Sequence, residues 1–261
     1  MWPEAKRSAV CLTFDFDAEE VWLADDPANA ERPVAMSQGT FGAKVAVPLI
    51  LEILGRHAVR STWFVPGRVA ERHPDRIREI VGAGHELACH GYTHREPAGM
   101  EAAEEERELV RAREALDAFG AEVLGYRAPG WACGLGTIEL VERHGFTYSS
   151  DFMDDIHPYV HEGTRVVELP VSWILDDAPH FWFDADSWDK KISSPSEVLE
   201  IWRAEILGIR DLGGLAVVTF HPQVIGRPGR LPLLDELIGW VLELGDVEVP
   251  TCAEVAARVA G

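Results

Sequence analysis

Short β-branched and aromatic runs alternate with longer amphipathic runs from one end of the chain to the other, and this alternation limits the fold more than any other feature. SAVCLTFDF (8–16), VRSTWFV (59–65), HELAC (85–89), VLGYRA (123–128), FTYSSDF (146–152), TRVVELPVSW (164–173), GLAVVTF (214–220) and DVEVPTC (246–252) read as strands. Helical patterning covers 41–57, 69–83, 100–119, 136–144, 195–212 and 231–244 between them. Strands joined through helices pair in parallel and have their faces covered by those helices. About eight such units, with no linker of flexible composition across residues 1–261, predict a single α/β domain closed into a barrel. An open doubly wound sheet is the alternative. Neither GxGxxG nor GxxxxGK[ST] follows a strand, which weakens the nucleotide-binding form of that alternative.

The balance of charge narrows the partners. The chain carries 44 acidic residues against 24 basic ones, for a formal net charge of −20. Nucleic acids and anionic membranes need a basic footprint, so neither is expected as a partner. The N-terminus MWPEAKRSAVCLTFDFD has no long apolar h-region, and no apolar run approaches the ~18 residues of a membrane span. These readings predict a cytoplasmic protein without a signal peptide. Cys11, Cys89, Cys133 and Cys252 form no CxxC pair and no zinc-ribbon spacing, which predicts free thiols.

In a parallel barrel the chemistry gathers at the carboxyl ends of the strands and on the loops after them. The first strand run ends in TFDFDAEE, the third in CHGYTH, the fourth in YRAPGW, the sixth in LPVSWILDD and the seventh in TFHPQ. Ionisable groups therefore collect at one end. His90 and His94 stand four apart, but with 10 His in 261 residues chance alone gives roughly 0.4 such pairs. HPYVH holds a second pair, His157 and His161, so spacing alone decides nothing. Asp15 and Asp17 are two apart and on a strand share one face, with Phe14 and Phe16 on the other. Carboxylates side by side repel unless a cation lies close, and a metal or Arg127 would serve. One carboxylate with two imidazoles suits a divalent ion and leaves positions open for water and substrate. Asp17, His90 and His94 could supply that set, leaving Asp15 as a base. His221 follows the apolar run GLAVVTF at a strand end, where it has no core to fill.

TFDFD, HGYTH and RAPGW, with LPVSW and VTFHP further on, resemble the motifs of the NodB-homology polysaccharide deacetylases over most of the chain. LPVSWILDDAP and FHPQVIGRPGR are similar to stretches of the branch that holds peptidoglycan-deacetylase-like proteins, cyclic-imide hydrolases and cofactor-independent allantoinases. The resemblance implies a distorted (β/α) barrel of about seven to eight strands. It also implies hydrolysis of a non-peptide carbon–nitrogen bond with one divalent metal, zinc foremost. Carried over by position, Asp15 is the base, Arg127 holds it, and His221 is the general acid. Asp17, His90 and His94 are the metal ligands, and Trp131 lines the substrate groove.

Trp173 and Asp176 lie in a long aperiodic stretch after the sixth strand and read as pocket wall and polar anchor, with Trp182 and Trp188 nearby. Phe16 between the aspartates and Gly91 after the first histidine depart from the commoner pattern and look like the imidase branch. The implied activity is N-deacetylation of an N-acetylated sugar or polysaccharide. The alternatives are a cyclic-imide or small-amide hydrolase, and a non-catalytic sugar- or amide-binding protein on the same scaffold. The branch also implies a homo-oligomer, a tetramer. DFMDDIHPYV, with His157 and His161, matches no motif and reads as a substrate-side loop.

Overall fold

All eight expected strands form in the computed structural model, which describes residues 1–183 and 192–260. In chain order the strands are β1 (Ser8–Asp15), β2 (Thr62–Val65), β3 (Glu86–Cys89), β4 (Gly125–Tyr126), β5 (Tyr148–Ser149), β6 (Tyr159–Val160), β7 (Val167–Glu168), β8 (Leu215–Phe220) and β9 (Val247–Glu248). They make one nine-stranded sheet in the order β6-β7-β5-β4-β3-β2-β1-β8, with β9 paired to the start of β1. Every pairing is parallel except that of β6, which adds antiparallel to β7 and has no counterpart in the sequence reading. The sheet curls until Asp176 bridges Thr219 of β8 and the Asp177 N–H donates to the Thr219 carbonyl at 3.0 Å. That single bridge closes the distorted barrel where a full ladder would require a longer β7.

β1 is buried along its whole length, and its alternation sorts two cores. Val10, Leu12 and Phe14 face outward into the helical layer, where Phe14 stacks on Trp63 at 4.5 Å between ring centroids and lies 5.2 Å from Phe220. Burying an aromatic ring of this size contributes on the order of 2–3 kcal/mol. Ala9 and Cys11 face the barrel interior with Phe64, Tyr148, Leu215 and Val217. The helix Cys252–Val259 plugs this end of the barrel with Cys252, Val255 and Ala256, and Thr251 with Glu254 forms a capping box that starts it. One end of the barrel is thus filled largely by apolar side chains, around Glu86, which accepts from Tyr148, Thr62 and the Ala253 N–H.

Prolines and close approaches account for where the elements depart from expectation. The helix expected over 69–83 is two, Gly67–Arg72 and Pro74–Gly82, because Pro74 keeps His73 out of the helical region. The run expected to end as a strand at Cys252 stops at Glu248, and Pro250 separates it from the last helix. The helix expected over 41–57 begins at Pro33 and passes through a π-helical turn at Gly42–Ala46. Gly39 is required on it, since a Cβ there would lie 2.5 Å from the Ala18 backbone. This 25-residue helix is long and apolar enough, at a mean hydropathy of 1.3, to cross a membrane, which corrects the expectation that no run approaches a span. Its Val47, Ile50, Ile53 and Leu54 are buried in the outer core.

Candidate active site

Asp15 ends β1 and Asp17 lies two residues beyond, so both carboxylates enter the open end of the barrel while Phe16 turns outward against Trp63. Arg127, just past β4, is fully buried inside the barrel with its guanidinium 4.0 Å from the centre of the Phe64 ring. Its Nη1 donates to Asp15 Oδ1 at 2.6 Å and to Thr13 Oγ1 at 3.1 Å, and its Nη2 to Ser150 Oγ at 2.9 Å. A charge this deep is stable only when paired and hydrogen-bonded. Arg127 therefore fixes one oxygen of Asp15 and leaves the other, Oδ2, directed toward His90 at 3.9 Å.

His90 follows β3 directly, and the chain then turns through left-handed residues at Gly91 (φ 69°) and His94 (φ 57°). The four-residue spacing therefore belongs to a loop and not to a helix. Thr93 pins that loop, donating through its N–H at 2.9 Å and its Oγ1 at 2.6 Å to Glu108 Oε2. The two rings end 5.1 Å apart. His90 Nδ1 is 2.8 Å from the Arg127 carbonyl, an acceptor only, so Nδ1 carries the proton and Nε2 is left with its lone pair.

Asp17 Oδ1 is buried and accepts no hydrogen bond, yet it lies 3.6 Å from His90 Nε2 and 3.5 Å from His94 Nε2. The three candidate ligand atoms are within 4.8 Å of one another. Burial pushes the Asp17 carboxyl up to about 8, the His90 imidazole down to about 4, and His94 well below its ordinary value. Left to themselves these groups prefer their neutral forms. A carboxylate oxygen with no partner, facing two imidazole lone pairs, is what a divalent cation satisfies, and its arrival would replace the proton on Asp17. The residues present fit a metal.

His221 ends β8 opposite them. Its Nδ1 lies 2.7 Å from Asp177 Oδ1 and 3.7 Å from Asp176 Oδ1, and its backbone N–H donates to Asp177 Oδ2 at 3.0 Å. Nε2 is thereby turned toward the cavity, 3.8 Å from Asp17 Oδ2. Burial opposes a charge on His221, but the carboxylates of Asp176, Asp177 and Asp17 outweigh it and hold its pKa well above the ordinary value. Asp176, Asp177 and His221 also lie close enough to form a candidate ion site. The Asp177 bond already satisfies the imidazole, so the pair reads as a held proton donor.

A cavity of about 260 Å³ joins these groups. Trp131 and Trp173 form one wall, with ring centroids 4.4 Å apart. Trp182 contributes to the lining and is itself stacked on Trp22 at 5.0 Å. The structure thus brings together the nine residues expected to form the site: Asp15, Asp17, His90, His94, Arg127, Trp131, Trp173, Asp176 and His221. Trp188 lies outside the described residues. Glu19 and Glu20 turn away, Glu19 to Thr40 (2.7 Å) and His73 (2.8 Å) and Glu20 to Arg72 (2.9 Å). His157 pairs with Asp155 on the surface and His161 with Glu168, and neither joins a candidate metal group among the described residues.

Sequence reading missed Val21 and Glu96 of the cavity lining and Gln223, whose Nε2 donates to Asp17 Oδ2 at 3.4 Å. Gln223 alone had a local signal, two residues past His221 at a strand end. Asp177 adjoins the expected polar anchor Asp176, but no local signal marks its hold on His221.

A family model described as polysaccharide deacetylase matches residues 3–149. The peptidoglycan deacetylase of Helicobacter pylori is 30% identical over 97% of this chain and 96% of its own length. A crystal structure of a Mycobacterium smegmatis protein assigned to the polysaccharide deacetylases superposes with a TM-score of 0.96 at 44% identity, over 99% of this chain and 92% of that one. The Puue allantoinase structure superposes at a TM-score of 0.85 with 23% identity, covering 98% and 91%, and shares the fold. A barrel with one polar mouth and relatives that match it end to end lead to one conclusion: the chain belongs to the polysaccharide deacetylase family and is a hydrolase of non-peptide carbon–nitrogen bonds.

Proposed function

We propose that the protein is a metal-dependent N-deacetylase of an N-acetylated sugar or polysaccharide. The observation that carries the reading is the unpartnered Asp17 Oδ1 facing two imidazoles, in one cavity with an arginine-held aspartate and an aspartate-held histidine. A single divalent ion, zinc first among the candidates, would be held by Asp17, His90 and His94 and would polarise the amide carbonyl and acidify a water. The peptidoglycan deacetylase relative, matched along nearly its whole length, supports an amino-sugar substrate.

The remaining chemistry belongs to the chain. Asp15 takes a proton from the attacking water through Oδ2, because Arg127 occupies Oδ1. His221 gives a proton from Nε2 to the departing nitrogen, since Asp177 holds Nδ1 and the surrounding carboxylates keep the imidazole charged. Water and the amide become acetate and a free amine. Trp131 and Trp173 offer flat apolar faces to a sugar ring.

The modest cavity volume also suits a small amide or cyclic imide, the second reading. Acetate release from N-acetylglucosamine oligomers, measured beside ring opening of simple cyclic imides, separates the two. Zinc-stimulated acetate release supports deacetylation; imide hydrolysis without it moves the assignment to the small-amide reading. Binding with neither reaction would leave a silent scaffold.

A further inference from the structure

Glu96 stands at the lip of the catalytic cavity, exposed, and its carboxylate has no hydrogen bond or ion pair to any described residue. Its neighbour Arg95 is committed elsewhere, to Glu104 on the outer surface. The Glu96 carboxylate lies against Gly130, with Oε1 3.0 Å from where a Cβ on that residue would sit. Gly130 (φ 63°) and Trp131 (φ 54°) are both left-handed, and Glu96 lines the same cavity as the Trp131–Trp173 pair. No lysine or arginine lines the cavity among the described residues.

Each of the other described carboxylates there has one oxygen engaged. Asp15 is held by Arg127, Asp17 by Gln223 with His90, His94 and His221 around it, and Asp176 by the Ala178 N–H with His221 beside it. Among the described lining residues, Glu96 alone has a carboxylate with neither oxygen hydrogen-bonded. A lone carboxylate in one cavity with two indoles is a recognition element for an ammonium group, which gains a charge-assisted hydrogen bond from the first and cation–π attraction from the second.

The reaction itself makes such groups. Removing an acetyl from an amino sugar turns a neutral amide into an ammonium. At about 260 Å³ the cavity has room for one acylated ring, which would put a neighbouring unit of the same chain at its lip. We infer that Glu96 is a specificity-determining residue that binds the ammonium of an already deacetylated sugar unit beside the reacting one, so that partly deacetylated chains are favoured over fully acetylated or anionic ones. This rests on the deacetylase reading.

The test is equilibrium binding of the glucosamine tetramer, followed by tryptophan fluorescence on metal-loaded protein, for wild type, Glu96→Gln and Glu122→Gln. Glu122 is an exposed acid ahead of β4, at the opposite end of the barrel, and controls for general attraction to a chain of net charge −20. Expected is a loss of about fivefold or more in affinity for Glu96→Gln. Glu122→Gln should match wild type, and the gap should close in about 0.5 M salt. Equal affinity in wild type and Glu96→Gln, a loss matched by Glu122→Gln, or no binding to wild type overturns the inference. Binding is read without turnover, so absence of acetate release would count against the deacetylase reading and would leave this comparison standing.

Discussion

His221 Nδ1 lies 2.7 Å from Asp177 Oδ1, and the imidazole therefore presents Nε2, its remaining nitrogen, to the cavity. Asp177 is fully buried and also accepts the His221 N–H, so ring and backbone are held by one carboxylate. Asp177→Asn should lower kcat by about a hundredfold or more, because the amide neither orients the ring in one tautomer nor supports its charge. The sign with pH follows. A proton donor with a raised pKa loses activity as pH rises through that pKa, so removing the charge should move the alkaline limb of the kcat profile to lower pH. An unmoved limb would separate Asp177 from the proton transfer.

Metal retention should depend on Asp17, His90 and Gln223 in different degrees. Wild-type protein loaded with zinc should hold about one ion per chain, and Asp17→Ala with His90→Ala should hold none. Gln223→Leu removes the hydrogen bond to Asp17 Oδ2 and should weaken binding by about ten- to a hundredfold, measured by competition with a chromophoric chelator. Unchanged affinity in that variant would make Gln223 a packing residue.

Arg127 is a test of buried pairing. Arg127→Met leaves Asp15 as an unpaired acid inside the barrel and should cost about 3–5 kcal/mol. In a chain of this size that is a fall of roughly 10 °C in Tm. Adding Asp15→Asn should recover part of it, since the uncompensated charge is gone. If the double variant is no more stable than Arg127→Met, the loss comes from packing against Phe64.

His85 supplies a stability term with a definite pH window. It is buried, and its Nδ1 accepts the Ser61 N–H at 3.1 Å, so the folded ring is neutral there. Burial lowers its pKa to about 4, against an ordinary value near 6.5. A depressed folded pKa gives stability that is fully present above about 6.5 and is lost as pH falls to about 4, because the unfolded chain takes the proton first. The loss should be on the order of 2 kcal/mol, read from urea unfolding at the two ends of that window. His85→Gln, which can accept the same bond and does not titrate, should show a shallower fall; an identical fall in both would assign the acid sensitivity elsewhere.

Residues that act through their place on one strand or at its end were legible in the sequence. Period-two alternation put Asp15 and Asp17 on one side and Phe14 and Phe16 on the other. Apolar runs ending in charged or imidazole groups marked the active end of the barrel, because backbone geometry within one element depends on neighbours in sequence. What lay between elements depended on the curl of the sheet, to which residues far apart in the chain contribute. The ladders of β4, β5 and β7 are only two residues long, and closure rests on Asp176 meeting Thr219. The helical spacing of His90 and His94 became a left-handed loop pinned by Glu108, fifteen residues from Thr93. Asp177 reaching His221, Gln223 reaching Asp17 and Glu96 reaching Gly130 are likewise contacts between separate elements. The sequence by itself determined which groups could do the chemistry and at which end they stood. Only the tertiary structure decided which of them share a proton, a ligand atom or a wall, because those contacts exist once the sheet has curled far enough to bring its two margins together.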